Sequence, residues 1–127
     1  MYSHLNNSIY VQLIDSVVNT YLIQRCNFSP SSSPQIGVVA SSKCEYFSFT
    51  SFPAELELCL RVNKLGQSSV EYEVGIFERG REDVCAVGGF VHVFVDRASM
   101  KTSARGMNWD LRTGLDDIYV KSRESVL

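Results

Sequence analysis

The chain has 127 residues, with 12 basic and 14 acidic side chains for a formal charge of −2, and 45% of its residues are hydrophobic. That length fits one domain, and that composition excludes wholesale disorder. Basic residues form no run, which argues against a protein that grips nucleic acid by neutralising phosphates.

The charge is also unevenly spread. Arg25 and Lys43 are the basic side chains of residues 1–60. The opening Met1–Asn7 has neither the basic flank nor the apolar block of a secretory signal. The apolar-rich stretch from Leu5 to Ile23 is broken by Asn6, Asn7, Gln12, Asp15 and Asn19. A membrane span needs about 20 mostly apolar residues, so none is expected. Cys26, Cys44, Cys59 and Cys85 form no C-x-x-C pair and read as free, buried thiols in a reducing intracellular compartment. The cytoplasm is the first choice, with mitochondrion and peroxisome as alternatives, although the final Ser125-Val126-Leu127 lacks the basic residue of a peroxisomal signal. No metal site is expected.

Residues 5–24 have helical period. Leu5, Ile9, Leu13, Val17 and Tyr21 form one i, i+4 row, and Tyr10, Ile14, Val18 and Leu22 form its neighbour. Two rows predict a helix buried on most sides, with Asn6 or Asn7 as its N-cap. The Ser/Pro-rich stretch 26–35 is a loop. The period then changes to two. Residues 36–47, 55–63, 68–78 and 84–96 read as strands, with Lys64–Gln67 turning the second into the third and Arg79–Asp83 turning the third into the fourth. His92 shares a strand face with Phe90 and Phe94, the setting of a satisfied structural histidine. The tail is polar, with a short helix predicted near Asp110–Val120.

A long buried helix followed by antiparallel strands is satisfied by a sheet whose apolar face wraps one central helix. The architecture is α+β, the hotdog fold. Its core is expected over residues 4–97, with 98–127 a C-terminal extension of the same single domain (1–127).

The stretch His4-Leu5-Asn6-Asn7-Ser8-Ile9-Tyr10 resembles the H-x-N-N-x-x-Y signature of hotdog acyl-CoA thioesterases, relatives of 4-hydroxybenzoyl-CoA thioesterase. Cys44–Phe47 is similar to the family's second strand, 60–70 to its R-V-x-x-L-G-x-S-S hairpin, and 90–97 to its last strand. The family's catalytic Asp, four residues ahead of the motif His, would fall just before Met1, as would its first strand.

The resemblance implies a hydrolase that cleaves an acyl-CoA to free acid and CoA. Attack on the carbonyl is carboxylate-assisted, and the oxyanion is held at a helix N-terminus, where N–H groups lack intrahelical partners. By the family's spacing the N–H donor is Asn7, His4 orients carboxylate or water, and Asn6 caps the helix or touches substrate. Tyr10 is a further substrate-binding candidate. Backbone N–H groups around Gly66, the Ser68 and Ser69 hydroxyls, and charge from Arg61 or Lys64 are candidates for CoA phosphates. CoA enters as substrate, and the chemistry requires no cofactor. Open strand edges call for cover, so a homodimer or dimer of dimers with sites shared between subunits is expected. The alternative is a non-catalytic hotdog protein that binds acyl-CoA or only dimerises. A hydratase lacks its Asp–His arrangement here, and a cystatin-like module would leave the H-x-N-N stretch unexplained.

Overall fold

The computed structural model describes residues 2–46, 55–80 and 82–120, and the side chains of all of these except residues 2–8 and Tyr46. Six elements follow one another: α1 (Tyr2–Arg25), β1 (Gln35–Tyr46), β2 (Leu56–Leu65), β3 (Ser69–Glu78), β4 (Val84–Asp96) and α2 (Trp109–Asp116). The strands form one antiparallel sheet in the order β1-β4-β3-β2. Each strand expected from period two is present, and so is the short helix near Asp110. Phe47, expected to end the first strand, and the terminal Ser125–Leu127 lie outside the described residues.

One apolar row of α1 carries the packing. Tyr10, Ile14, Val18 and Leu22 are all at least 96% buried and sit on Val62, Val70, Tyr72, Val74, Ile76 and Phe94 of the sheet. Burying each such side chain stabilises the fold by about 1.5–3 kcal/mol. The second row is only partly used. Leu13, Val17 and Tyr21 are half-buried against the core, while Ile9 and Val11 are exposed. The expectation of a helix buried on most sides is therefore corrected. A four-stranded sheet covers one face of α1, and Gln12, Asp15, Ser16 and Thr20 point to solvent.

The helix ends where a left-handed residue turns the chain. Asn27 has φ 51°, and the N–H groups of Cys26 and Phe28 both reach the Leu22 carbonyl. The following loop is tied down by Arg97, which donates to the carbonyls of Ser33 and Pro30 at 2.8 and 2.7 Å.

The C-terminal part is built into the same core. Met107, Leu111 and Leu115 are buried with the sheet and α1. Beyond α2 the chain covers the outer edge of β2 at Val62, whose N–H donates to Ile118 and whose carbonyl accepts from Val120, both at 2.9 Å. α2 meets the end of α1 through a glycine. A Cβ on Gly114 would overlap the Cys26 Sγ and stand 2.7 Å from the Arg25 carbonyl oxygen. Helix propensity alone favours Gly114→Ala by about 1 kcal/mol, but the clash with α1 backbone outweighs it. The expected result is a melting temperature below wild type, read by thermal denaturation. A rise would show that α2 shifts freely on α1.

Two thiols depart from expectation. Cys26 and Cys85 are buried, but Cys44 is half-buried and Cys59 is exposed. Cys59 sits opposite Gly75 on the face of the sheet away from α1. Burial pushes the Cys26 thiol up to about 11, so it stays protonated.

Candidate functional site

A cleft of about 360 Å³ opens between α1, β1 and β4. Val11 and Asp15, one helical turn apart, line one wall with Gln12, and Ile14 points inward beside them. Val39, Ser42, Lys43 and Cys44 of β1 make the opposite wall, and Gly89 and Phe90 of β4 the floor. The lining is mainly apolar. Asp15 and Lys43 are its charged groups, and Val11 and Val39 are 56% and 53% exposed at the mouth.

Two glycines of β4 let neighbouring groups approach closely beside the cleft. A Cβ on Gly88 would stand 2.5 Å from Ile14 Cδ1 and 3.2 Å from Cys44 Sγ. Its neighbour Gly89 lies where the β3–β4 ladder is interrupted: Ser69–Glu71 and Val74–Phe77 are paired with β4, whereas Tyr72 and Glu73 are not. Adjacent glycines inside a strand mark a close approach or irregularity. The Gly88-Gly89 pair within the strand is the sequence signal of this close approach, which strand alternation alone does not reveal.

Behind Phe90 lies a buried polar pair. His92 is 5% exposed, and its Nδ1 is 3.0 Å from the Tyr72 hydroxyl. Its ring packs between Phe90 and Phe94, with centroids at 4.7 and 5.5 Å. Burial lowers His92 to about 4 and raises Tyr72, so both stay neutral near pH 7. The structural reading of His92 holds. A Cβ on Gly37 would meet the imidazole at 2.8 Å, so β1 also conforms to this ring.

The residues expected to act are distributed over the whole fold. His4, Asn6 and Asn7 lie in the first two turns of α1, with side chains outside the described set. Because the helix runs from Tyr2, neither Asn is its N-cap. By helix geometry the Asn7 N–H falls opposite the Ser3 carbonyl rather than among the open first-turn donors. Tyr10 is a core residue, 4% exposed. Arg61 faces away from α1 and pairs with Glu73.

The hairpin sits at the other end of the molecule. Arg112 of α2 donates to the Gly66 and Gln67 carbonyls at 2.7 and 3.0 Å, Phe94 N–H to Ser68 at 2.7 Å, and Gly66 N–H to Ser69 at 2.8 Å. α2 in turn abuts Arg25–Cys26 at the C-terminus of α1. At 1.5 Å per residue, the first turn of α1 is roughly 30 Å from that end. Lys64, Gly66, Ser68 and Ser69 therefore do not share a site with His4, Asn6 and Asn7 in one protomer.

An antiparallel sheet with one long helix across its face is the hotdog arrangement. The family model of the thioesterase superfamily matches residues 2–85. The chain belongs to that superfamily. It is 42% identical to the PA5185 protein from Pseudomonas aeruginosa, over 89% of this chain and 78% of that one, with a TM-score of 0.82. At 12% identity it superposes with a TM-score of 0.74 on Slr0204, a 1,4-dihydroxy-2-naphthoyl-CoA thioesterase from Synechocystis, covering 87% and 82% of the two chains. At 8% identity it superposes with a TM-score of 0.78 on SAV2348 from Staphylococcus aureus, solved in complex with CoA, covering 94% and 73%. These two show the shared fold. No curated protein matches the chain. Among the described residues, no helix is long and apolar enough to cross a membrane.

Proposed function

We propose that this thioesterase-superfamily chain hydrolyses acyl-CoA, with the acyl chain in the α1–β1–β4 cleft. The observation that carries the reading is the cleft itself. Its volume falls in the range of about 300–1,000 Å³ usual for small-molecule sites, and its lining is mainly apolar. Val11, at its mouth, lies one helical turn beyond Asn7, so a chain seated there leaves its thioester beside the first turns of α1.

Water adds to the carbonyl carbon, the C–S bond breaks, and the sulfur leaves with the proton that water gave up. The products are a carboxylic acid and CoA. His4 orients the water, Asn6 contacts substrate, and the Asn7 N–H polarises the carbonyl once the first turn opens there. Asp15, the described carboxylate on the cleft, lies about 12 Å along α1 from Asn7 and tests instead for a reacting centre deeper in the cleft. In a homodimer the Lys64, Ser68 and Ser69 hairpin serves the CoA of the partner subunit's site. The four free thiols support an intracellular setting.

A second reading has one observation in its favour. With the Asn7 N–H inside a continuous helix, the cleft would bind acyl-CoA without cleaving it. A panel of short to long acyl-CoAs separates the two by turnover and by direct binding. Turnover is expected, and His4→Ala should reduce kcat by about 100-fold or more while binding and melting stay near wild type. Binding without turnover in the wild-type chain establishes the second reading. Loss on Asp15→Asn but not His4→Ala would move the reacting centre from the first turn into the cleft.

A further inference from the structure

The cleft has two dissimilar ends. α1 and β4 run in the same direction. Ile14 meets Gly88, and the C-terminus of α1 meets α2, which holds the hairpin that bonds to Phe94. Along that direction Gly88 and Cys44 come first, paired across the ladder, and Phe90 comes last among the β4 residues of the lining. Phe90 therefore lies at the end away from the first turns of α1.

That far end is a wall of rings. Phe90 is 7% exposed, and its centroid lies 5.1 Å from that of Tyr72 and 4.7 Å from that of His92. Those two are themselves 5.2 Å apart, so the three rings touch pairwise. The hydrogen bond between Tyr72 and His92 ties the back of the wall together, and His92 is in turn seated against Phe94 and Gly37. To swing the Phe90 ring aside would disturb close packing and a buried hydrogen bond at once.

We infer that Phe90 is the residue that sets the acyl length, as a fixed end wall, and that the accepted class is straight acyl chains ending in a plain methyl group. This rests on the acyl chain lying in the cleft, as proposed above, and adds where the chain stops. The methyl end follows from what the wall presents. Tyr72 and His92 Nδ1 satisfy each other on the far side of Phe90. Asp15 and Lys43, the charged groups of the lining, belong to α1 and β1 and not to this wall. A hydroxyl or carboxylate at the chain end meets an aromatic surface and loses its water without compensation.

Calorimetric titration with saturated acyl-CoAs from butyryl to palmitoyl tests the wall. Each added methylene should tighten binding about fourfold until the chain reaches Phe90. The next should weaken it about tenfold or more. Phe90→Leu should move this limit outward by roughly one methylene and Phe90→Ala by roughly three. Phe90→Met, close in volume, keeps the core filled, and its flexible side chain should blur the limit. Phe94→Leu trims a ring further along the same face but outside the lining, so it should lower the melting temperature and leave the limit in place. An ω-hydroxyl at the limiting length should weaken binding to wild type about tenfold or more, and much less to Phe90→Ala, where it reaches the Tyr72–His92 pair. A limit that Phe90→Leu and Phe90→Met leave unchanged, or that Phe94→Leu moves equally, overturns the inference while the acyl chain keeps its place in the cleft. Binding up to a limit set by Phe90 with no turnover sustains the inference and removes only the hydrolase reading. Equal binding of every length, or of none, overturns it together with the placement of the acyl chain.

Discussion

Gly89→Ala will destabilise the fold by more than about 3 kcal/mol, visible as a fall of about 10 °C or more in the melting temperature. The cause is backbone, not side-chain, crowding. A Cβ at this position would overlap the Tyr72 carbonyl oxygen, stand 2.9 Å from its carbon, and approach Glu73 Cα to 3.2 Å. No rotamer change relieves such a contact, so β3 must move off β4. That movement falls where the ladder already omits Tyr72 and Glu73, and where Tyr72 holds His92. It also displaces Phe90, so ligand uptake in the cleft should fall with stability. Gly75→Ala is the control. Its nearest obstacle is the Phe77 ring edge at 3.0 Å, which can rotate away, and its cost should stay within about 1 kcal/mol. Equal melting of Gly89→Ala and wild type would show that the strands separate without loss, and the close approach would then carry no constraint.

What the sequence revealed follows from the range of each physical signal. Strand alternation is local, so the strands and the hairpin between Leu65 and Ser69 could be read from spacing alone. The i, i+4 rows revealed the helix but not how much of it the sheet covers. Ile9 and Tyr10 are both apolar, and only the direction of the sheet buries Tyr10 and leaves Ile9 in solvent. The cleft was illegible for the same reason. Val11, Val39 and Phe90 come from three distant segments, and nothing local says that they converge. The hairpin shows the limit from the other side. Its motif was plain, yet its placement at the far end of α1, held by Arg112, depends on the docking of α2. The H-x-N-N stretch identified the family without showing that the helix would begin before it.

The second large effect is a loss of stability on acidification that traces to one buried imidazole. His92 is lowered to about 4 by burial, whereas in the unfolded chain it titrates near 6.5. Above about pH 6.5 neither state is protonated, and the fold keeps its full stability. Between about pH 6.5 and 4 the unfolded chain binds a proton that the native state refuses, so stability falls with pH. At 1.36 kcal/mol per unit the loss amounts to about 3 kcal/mol by pH 4. The Tyr72 hydroxyl is the hydrogen-bond partner of this imidazole, and Phe90 and Phe94 surround it with apolar surface that cannot stabilise a cation. Removing His92 alone would strand the buried hydroxyl at a cost of about 1–3 kcal/mol. The informative variant therefore replaces both partners, Tyr72→Phe with His92→Phe, which leaves no buried polar group unpaired. Urea unfolding at intervals from pH 7.5 to 4.0 should show the double variant close to wild type at neutral pH and more stable than it by about 3 kcal/mol at pH 4. The difference between the two curves isolates the contribution of this pair. Parallel curves would mean that the native state accepts a proton at His92 at no cost, and that the aromatic enclosure opens to water as the pH falls.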